Sequence, residues 1–223
     1  MNISKYSDNG NIVVGGGHLY IGKTSDIKTK IPSDTATATE YNTYIEALTD
    51  ELQNVALVLG AGKINTENKY IDAQVDGETY DQFPYNPSAT FNTGLAEINI
   101  EHLAKFITGG KYNKSTDGVE TLKFDGQTVP YDCFLMFVME EKKTGCKYVF
   151  LMPRCKYNGA FTFDTDVSKQ VTPDVNFSIL KPSKESIENS GINEYYHMIK
   201  IPSSSTTTGT ESTEGEDTTG TEE

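Results

Sequence analysis

The clearest amphipathic stretch in the chain is at Ile100, Leu103, Ala104 and Ile107, which recur at i, i+3, i+4 and i+7. That spacing predicts a short helix with one apolar face. Asn99 suits its N-cap, because a side-chain oxygen there accepts one of the first unpaired amide protons. Glu101 in the first turn and Lys105 four residues on complement the helix dipole and each other. Gly109-Gly110 ends the helix, and a strand beginning at Ala89 leads into it. So short a helix is unstable by itself, so its apolar face must lie on a sheet.

The rest of the pattern is mostly strand. Apolar runs or alternation mark residues 18–21, 54–59, 64–75, 133–139, 147–156, 160–164 and 175–179. In the last of these, Val175, Phe177 and Ile179 point inward. Asp76-Gly77, residues 140–145 and Asn158-Gly159 read as turns that close hairpins. Residues 44–52 read as a short helical turn, and 183–201 as a mixed segment. The stretch 78–88, interrupted by Pro84 and Pro87, reads as a connection whose Tyr80, Phe83 and Tyr85 pack on the domain or on a neighbour. Residues 111–126 read as a polar excursion, and Lys181-Pro182 as the end of the sheet-forming region. The fold class is therefore mainly β with one short helix, of α+β type.

Three polar segments set the expected organisation. Residues 1–17 end in Gly15-Gly16-Gly17 and read as a flexible N-terminal arm, followed by one β domain over 18–202. Residues 24–43 are rich in Thr, Ala, Asp and Lys, lack either period, and read as a long loop of the kind that is usually either functional or disordered. Residues 203–223 are Ser/Thr/Gly/Glu low complexity, expected to be disordered. This tail holds Glu211, Glu214, Glu216, Asp217, Glu222 and Glu223 with no basic residue, within a chain of net charge −13.

Such an acidic surface does not grip nucleic acid, because that binding rests on Lys and Arg displacing counterions from phosphates. It still allows DNA to pass. Candidate chemistry is sparse. His18, His102 and His197 are the only histidines, and a solvated or capping place is expected for His102. No G-x-S-x-G or H-E-x-x-H pattern occurs. The glycine run 15–17 lacks the G-K-S/T ending of a phosphate loop and precedes a strand. Asp164, Asp166 and Asp174 lack the glycine and bidentate Glu of a calcium loop, so they read as solvated turn carboxylates. Cys133, Cys146 and Cys155, odd in number and without metal-like spacing, read as free thiols of a reducing compartment. The first residues hold no apolar signal region, and no run approaches membrane-spanning length. The expectation is a non-enzyme with no cofactor and no metal site.

A resemblance adds what periodicity does not. The strand-then-helix run Thr93-Gly-Leu-Ala-Glu-Ile-Asn-Ile-Glu-His-Leu-Ala104 ending in Gly109-Gly110 resembles the signature of phage major tail (tail tube) proteins. So do Lys147-Tyr-Val-Phe-Leu-Met-Pro-Arg-Cys155, Asn158-Gly-Ala-Phe-Thr-Phe-Asp-Thr-Asp166 and Val175-Asn-Phe-Ser-Ile-Leu-Lys-Pro182, with Gly17-His-Leu-Tyr-Ile-Gly22 similar to their first strand. The likeness runs from about Gly15 to Pro182, as a pattern of strands and turns.

It implies a β-sandwich or half-barrel protomer, with a helix packed through Ile100, Leu103, Ala104 and Ile107. Six such protomers would form a ring-shaped β-barrel, and stacked rings a tube that conducts DNA without specific binding. Tail terminator, tape-measure and baseplate proteins are the implied partners, with no membrane. The virion tail, assembled in the host cytoplasm, is the implied location. Tubes of phage-like bacteriocins and secretion systems are similar in fold, so fold alone does not choose among them. A β-sandwich binding module, such as a virion decoration or adhesin domain, is the alternative. Stacking needs segments that reach the next ring. The candidates are the arm and the 24–43 loop, with Lys28, Lys30, Thr35 and Thr39 as its contacts. This loop and the acidic tail are where the chain departs from the family pattern.

Overall fold

The computed structural model describes residues 17–57, 62–75, 78–94, 99–124, 126–141, 143–159 and 174–203. In chain order these form β1 (His18–Lys23), a 3-10 turn (Thr24–Asp26), α1 (Ala38–Glu51), β2 (Gln53–Leu57), β3 (Lys63–Val75) and β4 (Glu78–Gly94). Next comes α2 (Ile100–His102), which continues as a π-helical segment, Leu103–Thr108. Strands β5 (Lys111–Lys114), β6 (Glu120–Lys123), β7 (Cys133–Glu140), β8 (Lys147–Tyr157) and β9 (Asp174–Ile179) follow, then α3 (Lys184–Ser190) and β10 (His197–Ile201).

The large sheet is antiparallel, in the order β2-β1-β7-β8-β9-β4-β3, with β10 joined to β8 beside that path. Strands β5 and β6 form a separate two-stranded sheet. No closed barrel occurs among the described residues. Beside the central strand β8 runs β7, where Cys133, Phe134, Leu135, Met136 and Phe137 are all buried in succession. A strand covered on both faces shows an unbroken apolar run instead of alternation. Cys133, Leu135 and Phe137 face a core with Leu19, Ile21, Phe91, Phe106, Ile107, Val175, Phe177 and Ile179. Phe134 and Met136 face another with Ile27, Tyr44, Leu48, Val149, Leu151, Ile199 and Ile201.

Strands β4 and β7 are separated in the sheet by β8 and β9, yet the Phe91 and Phe137 rings lie 5.5 Å apart. The sheet therefore bends back over its first face. Part of that bend lies in β8, where the register with β7 shifts between Cys133 and Leu135. Pro153 sits there, and a bulge tolerates a residue with no N–H to give to the ladder. The Pro153 carbonyl instead accepts from the hydroxyls of Thr24 and Ser186, tying β8 to the 3-10 turn and to α3.

Several sequence expectations are corrected. Among the described residues there are three helices, not one, and the longest is α1. Its first residues lie inside the stretch read as loop, because Thr37 and Glu40 close a reciprocal capping box that starts the helix at Ala38. Residues 78–88 are strand, paired with β3. Pro84 and Pro87 are tolerated because β4 has a neighbour on one side only in this region, so a missing N–H can face the open side. The polar excursion 111–126 contains the β5–β6 hairpin. The sheet does not end at Lys181-Pro182, since β10 returns to pair with β8. The expected turn at Asp76-Gly77, the strand at 160–164, the arm before Gly17 and the tail after Ser203 lie outside the described residues.

Candidate assembly surfaces

The helix after β4 is held at its start by Asn99, whose side-chain oxygen accepts from the amides of Glu101 (2.9 Å) and His102 (3.2 Å). Lys105 pairs with Glu101 one turn earlier. From Leu103 the turn widens to π geometry, and the Thr108 hydroxyl donates to the Leu103 carbonyl. A wider turn rotates the apolar face away from the 3.6-residue expectation. Ala104 and Ile107 are buried as that spacing places them, but Ile100 and Leu103 are only half-buried. Phe106 and His102, which the spacing does not select, are buried in their stead. Gly109 closes the element at φ +68°, where a Cβ would stand 2.3 Å from the Thr128 carbonyl oxygen.

His102 is thus neither solvated nor a cap. Its Nε2 hydrogen-bonds the Gln53 side-chain oxygen, its Nδ1 is buried without a partner, and burial pushes its pKa down. The ring is therefore neutral at pH 7 and ties the π segment to β2.

The four residues expected to contact a next ring do not sit on one free loop. Lys28, Lys30, Thr35 and Thr39 are all exposed, but Thr39 lies in α1 and its carbonyl accepts from Thr43. The chain from Ile27 to Thr37 is pinned along its length. The Glu51 carboxylate accepts from the Lys28 amide (2.9 Å), the Thr29 amide (3.2 Å) and the Thr29 hydroxyl (2.8 Å). The Lys28 ammonium donates to the Ser25 carbonyl, and the Ile31 amide to the Ser190 carbonyl. Ile27 is buried at 1 % exposure. This segment is a strap across α1 and α3, and its exposed side chains are presented from a held backbone.

The open hydrogen-bonding capacity lies elsewhere. Strand β9 pairs with β4 only over Ala89–Gly94, whereas β3 follows β4 back to Glu78. Residues 78–88 and their β3 partners thus form a hairpin reaching about 35 Å beyond the sheet at the usual strand rise. Its outer strand β3, the edge strand β2 and the edge strand β10 each pair on one side only among the described strands. Such edges are templates for another chain unless something covers them.

Sites for chemistry are scarce. Among the described residues no group of three or more His, Cys, Asp or Glu side chains is placed to share a metal ion. Asp174 is exposed, and Asp164 and Asp166 lie outside the described residues. Cys133 and Cys155 are free, buried and opposite each other across β7 and β8, and burial pushes both thiols up, away from the thiolate. Cys146 is half-buried, with its pKa lowered by the Thr144 hydroxyl and the Ser203 backbone. A polar cleft of about 160 Å³ joins Lys23, Thr24, Asp132, Arg154 and Ser183. Its arginine is committed, donating to Asp132 (2.8 Å) and to the Lys181 carbonyl (3.3 Å). No described helix is long and apolar enough to cross a membrane.

Compared with models of known protein families and with curated proteins, the chain matches none.

Proposed function

We propose that this chain is the structural subunit of a bacteriophage tail tube, stacking as hexameric rings into the channel through which DNA reaches the host. The observation that carries the reading is the long β3–β4 hairpin. A two-stranded hairpin is marginal in water by itself, so one this long calls for a neighbouring surface. A ring of copies offers such a surface to every hairpin at once, and the half-barrel sheets would complete a barrel by continuing from copy to copy.

Two further properties support the reading. The net charge of −13 suits a lumen that repels phosphates and lets DNA slide. The strap at 27–37 presents polar side chains from a pinned backbone, which is what a repeated contact between rings needs. Terminator, tape-measure and baseplate proteins would then meet the tube at its ends.

Negative-stain microscopy of the purified chain tests this. Rings or tubes are expected from the full chain. A version with the hairpin shortened by deleting residues 71–82 should retain its circular dichroism and form none. A full chain that stays monomeric at high concentration and in phage lysate overturns the reading, in favour of a β-sandwich binding module.

A further inference from the structure

Beside β10, which has no second partner among the described strands, lies a groove of about 350 Å³ of mixed character, walled by Ala36, Ala38 and Tyr41 of the α1 entrance and by the strand from His197 to Pro202, with the His197 and Lys200 side chains beside the apolar Met198. Met198 is 56 % exposed within it. Two small alanines stand opposite a strand edge that has no partner among the described strands. We infer that Ile12, Val13 and Val14 of a second copy lie in this groove as an added strand on β10. The inference deepens the tube reading and rests on it for copies that meet in a regular array.

The occupant follows from what the rest of the chain can supply. The segment 204–223 starts beside β10, but it contains only Ser, Thr, Gly, Asp and Glu and offers nothing apolar. The segment 160–173 carries Phe161 and Phe163 but is tethered at Tyr157, the far end of β8 from the residues that β10 pairs with. The arm before Gly17 contains the run Asn11-Ile12-Val13-Val14, β-branched at three successive places and suited to an extended conformation. With period two, Ile12 and Val14 would turn to Ala36, Ala38 and Tyr41, and Val13 would cover Met198.

Reach decides whose arm it is. His18 pairs with Val138, Val138 with Val149, and Val149 with Ile199, so His18 is level with the middle of β10. A strand beyond β10 stands four spacings from β1, about 19 Å away. From His18 back to Val14 the fully extended chain covers at most about 14 Å. The arm would also have to pass the β7–β8 turn. A chain's own Val14 therefore falls short of its own groove, and the arm of a neighbour must fill it.

The test uses the full chain with Cys146→Ser, leaving the two buried thiols in place. I12C, V13C and V14C, each carrying one tag, are mixed in turn with M198C carrying another and oxidised mildly. A cross-linked dimer bearing both tags, lost on reduction, is expected from at least one mixture. No mixed dimer in any of the three overturns the inference. An intramolecular bond in a chain carrying both V13C and M198C, migrating as monomer, overturns it as well. Microscopy of the same samples separates the two readings. Tubes without mixed cross-links overturn the inference and leave the tube reading standing. Mixed cross-links without rings or tubes retain the inference and overturn the tube.

Discussion

Strands β7 and β8 and the hairpin of β3 and β4 are both antiparallel pairs of one sheet, but they differ in what surrounds them. The β7–β8 pair has β1, β9 and β10 beside it in the sheet, α1 over one face, and β4 and the π segment over the other. Among the described strands, the β3–β4 hairpin beyond Ala89 pairs only with itself. In the first region apolar burial supplies the stability and every edge is consumed. In the second the backbone pairs within the hairpin, and the outer groups remain available. The contrast separates the part of the chain that holds the fold from the part able to hold another copy.

The sharpest way to break the contrast is Phe137→Ala. Phe137 is 1 % exposed and touches the rings of Phe91 and Phe150, so the cavity should cost about 3–5 kcal/mol. A thermal melt of the monomer should fall by on the order of 10 °C. Leu48→Ala probes the other face of the same sheet. At 0 % exposure on the buried face of α1, it should cost about 3 kcal/mol by denaturant titration. An unchanged midpoint would show that α1 does not cover β7 and β8.

Thr37→Ala removes one half of the capping box and should cost about 1 kcal/mol, read in the same titration. A smaller effect is pH-dependent. Burial holds the His102 pKa below its unfolded value of about 6.5, so on acidification the unfolded chain takes up a proton before the folded one. This contribution is complete above that pH and declines as pH falls through it, until the folded ring itself protonates. H102Q should flatten that part of the stability profile, and an unaltered slope would remove His102 as its source. The smallest effect on folding belongs to the hairpin. Deleting residues 71–82 should move the melting temperature by no more than about 2 °C, because the strand pairing they make stays within the hairpin among the described strands. A large drop would join the hairpin to the core and erase the difference between the two regions.

Strands β7, β8 and β9 were legible because their signals are local. An unbroken apolar run marks β7, and strict alternation places Val175, Phe177 and Ile179 inward on β9. Helix α1 carried a legible signal that the Thr-rich composition concealed. Thr37 and Glu40 have the capping-box spacing, and Tyr41, Tyr44, Ile45 and Leu48 follow at helical intervals. Two prolines hid the strand over 78–88, since a proline's cost depends on whether a neighbour stands on its N–H side. Of the assembly surfaces, the positions of Lys28, Lys30 and Thr35 on a polar stretch were readable. That this stretch is pinned to Glu51 and Ser190 was not.

By itself, then, the sequence determined that β1, β2, β3, β7, β8 and β9 are strands, that Asn99 starts a helix and Gly109 ends it, and that the chain is strongly acidic. These follow from neighbours in the chain: periodicity, capping and charge. Tertiary structure alone decided the π turn that buries His102 and Phe106 in place of Ile100 and Leu103, because that choice depends on the surface beneath the helix. It also decided which edges stay open. An edge is open only relative to the strands that come to lie beside it, and β10 and β3 acquire or lack those neighbours from segments far away in the chain.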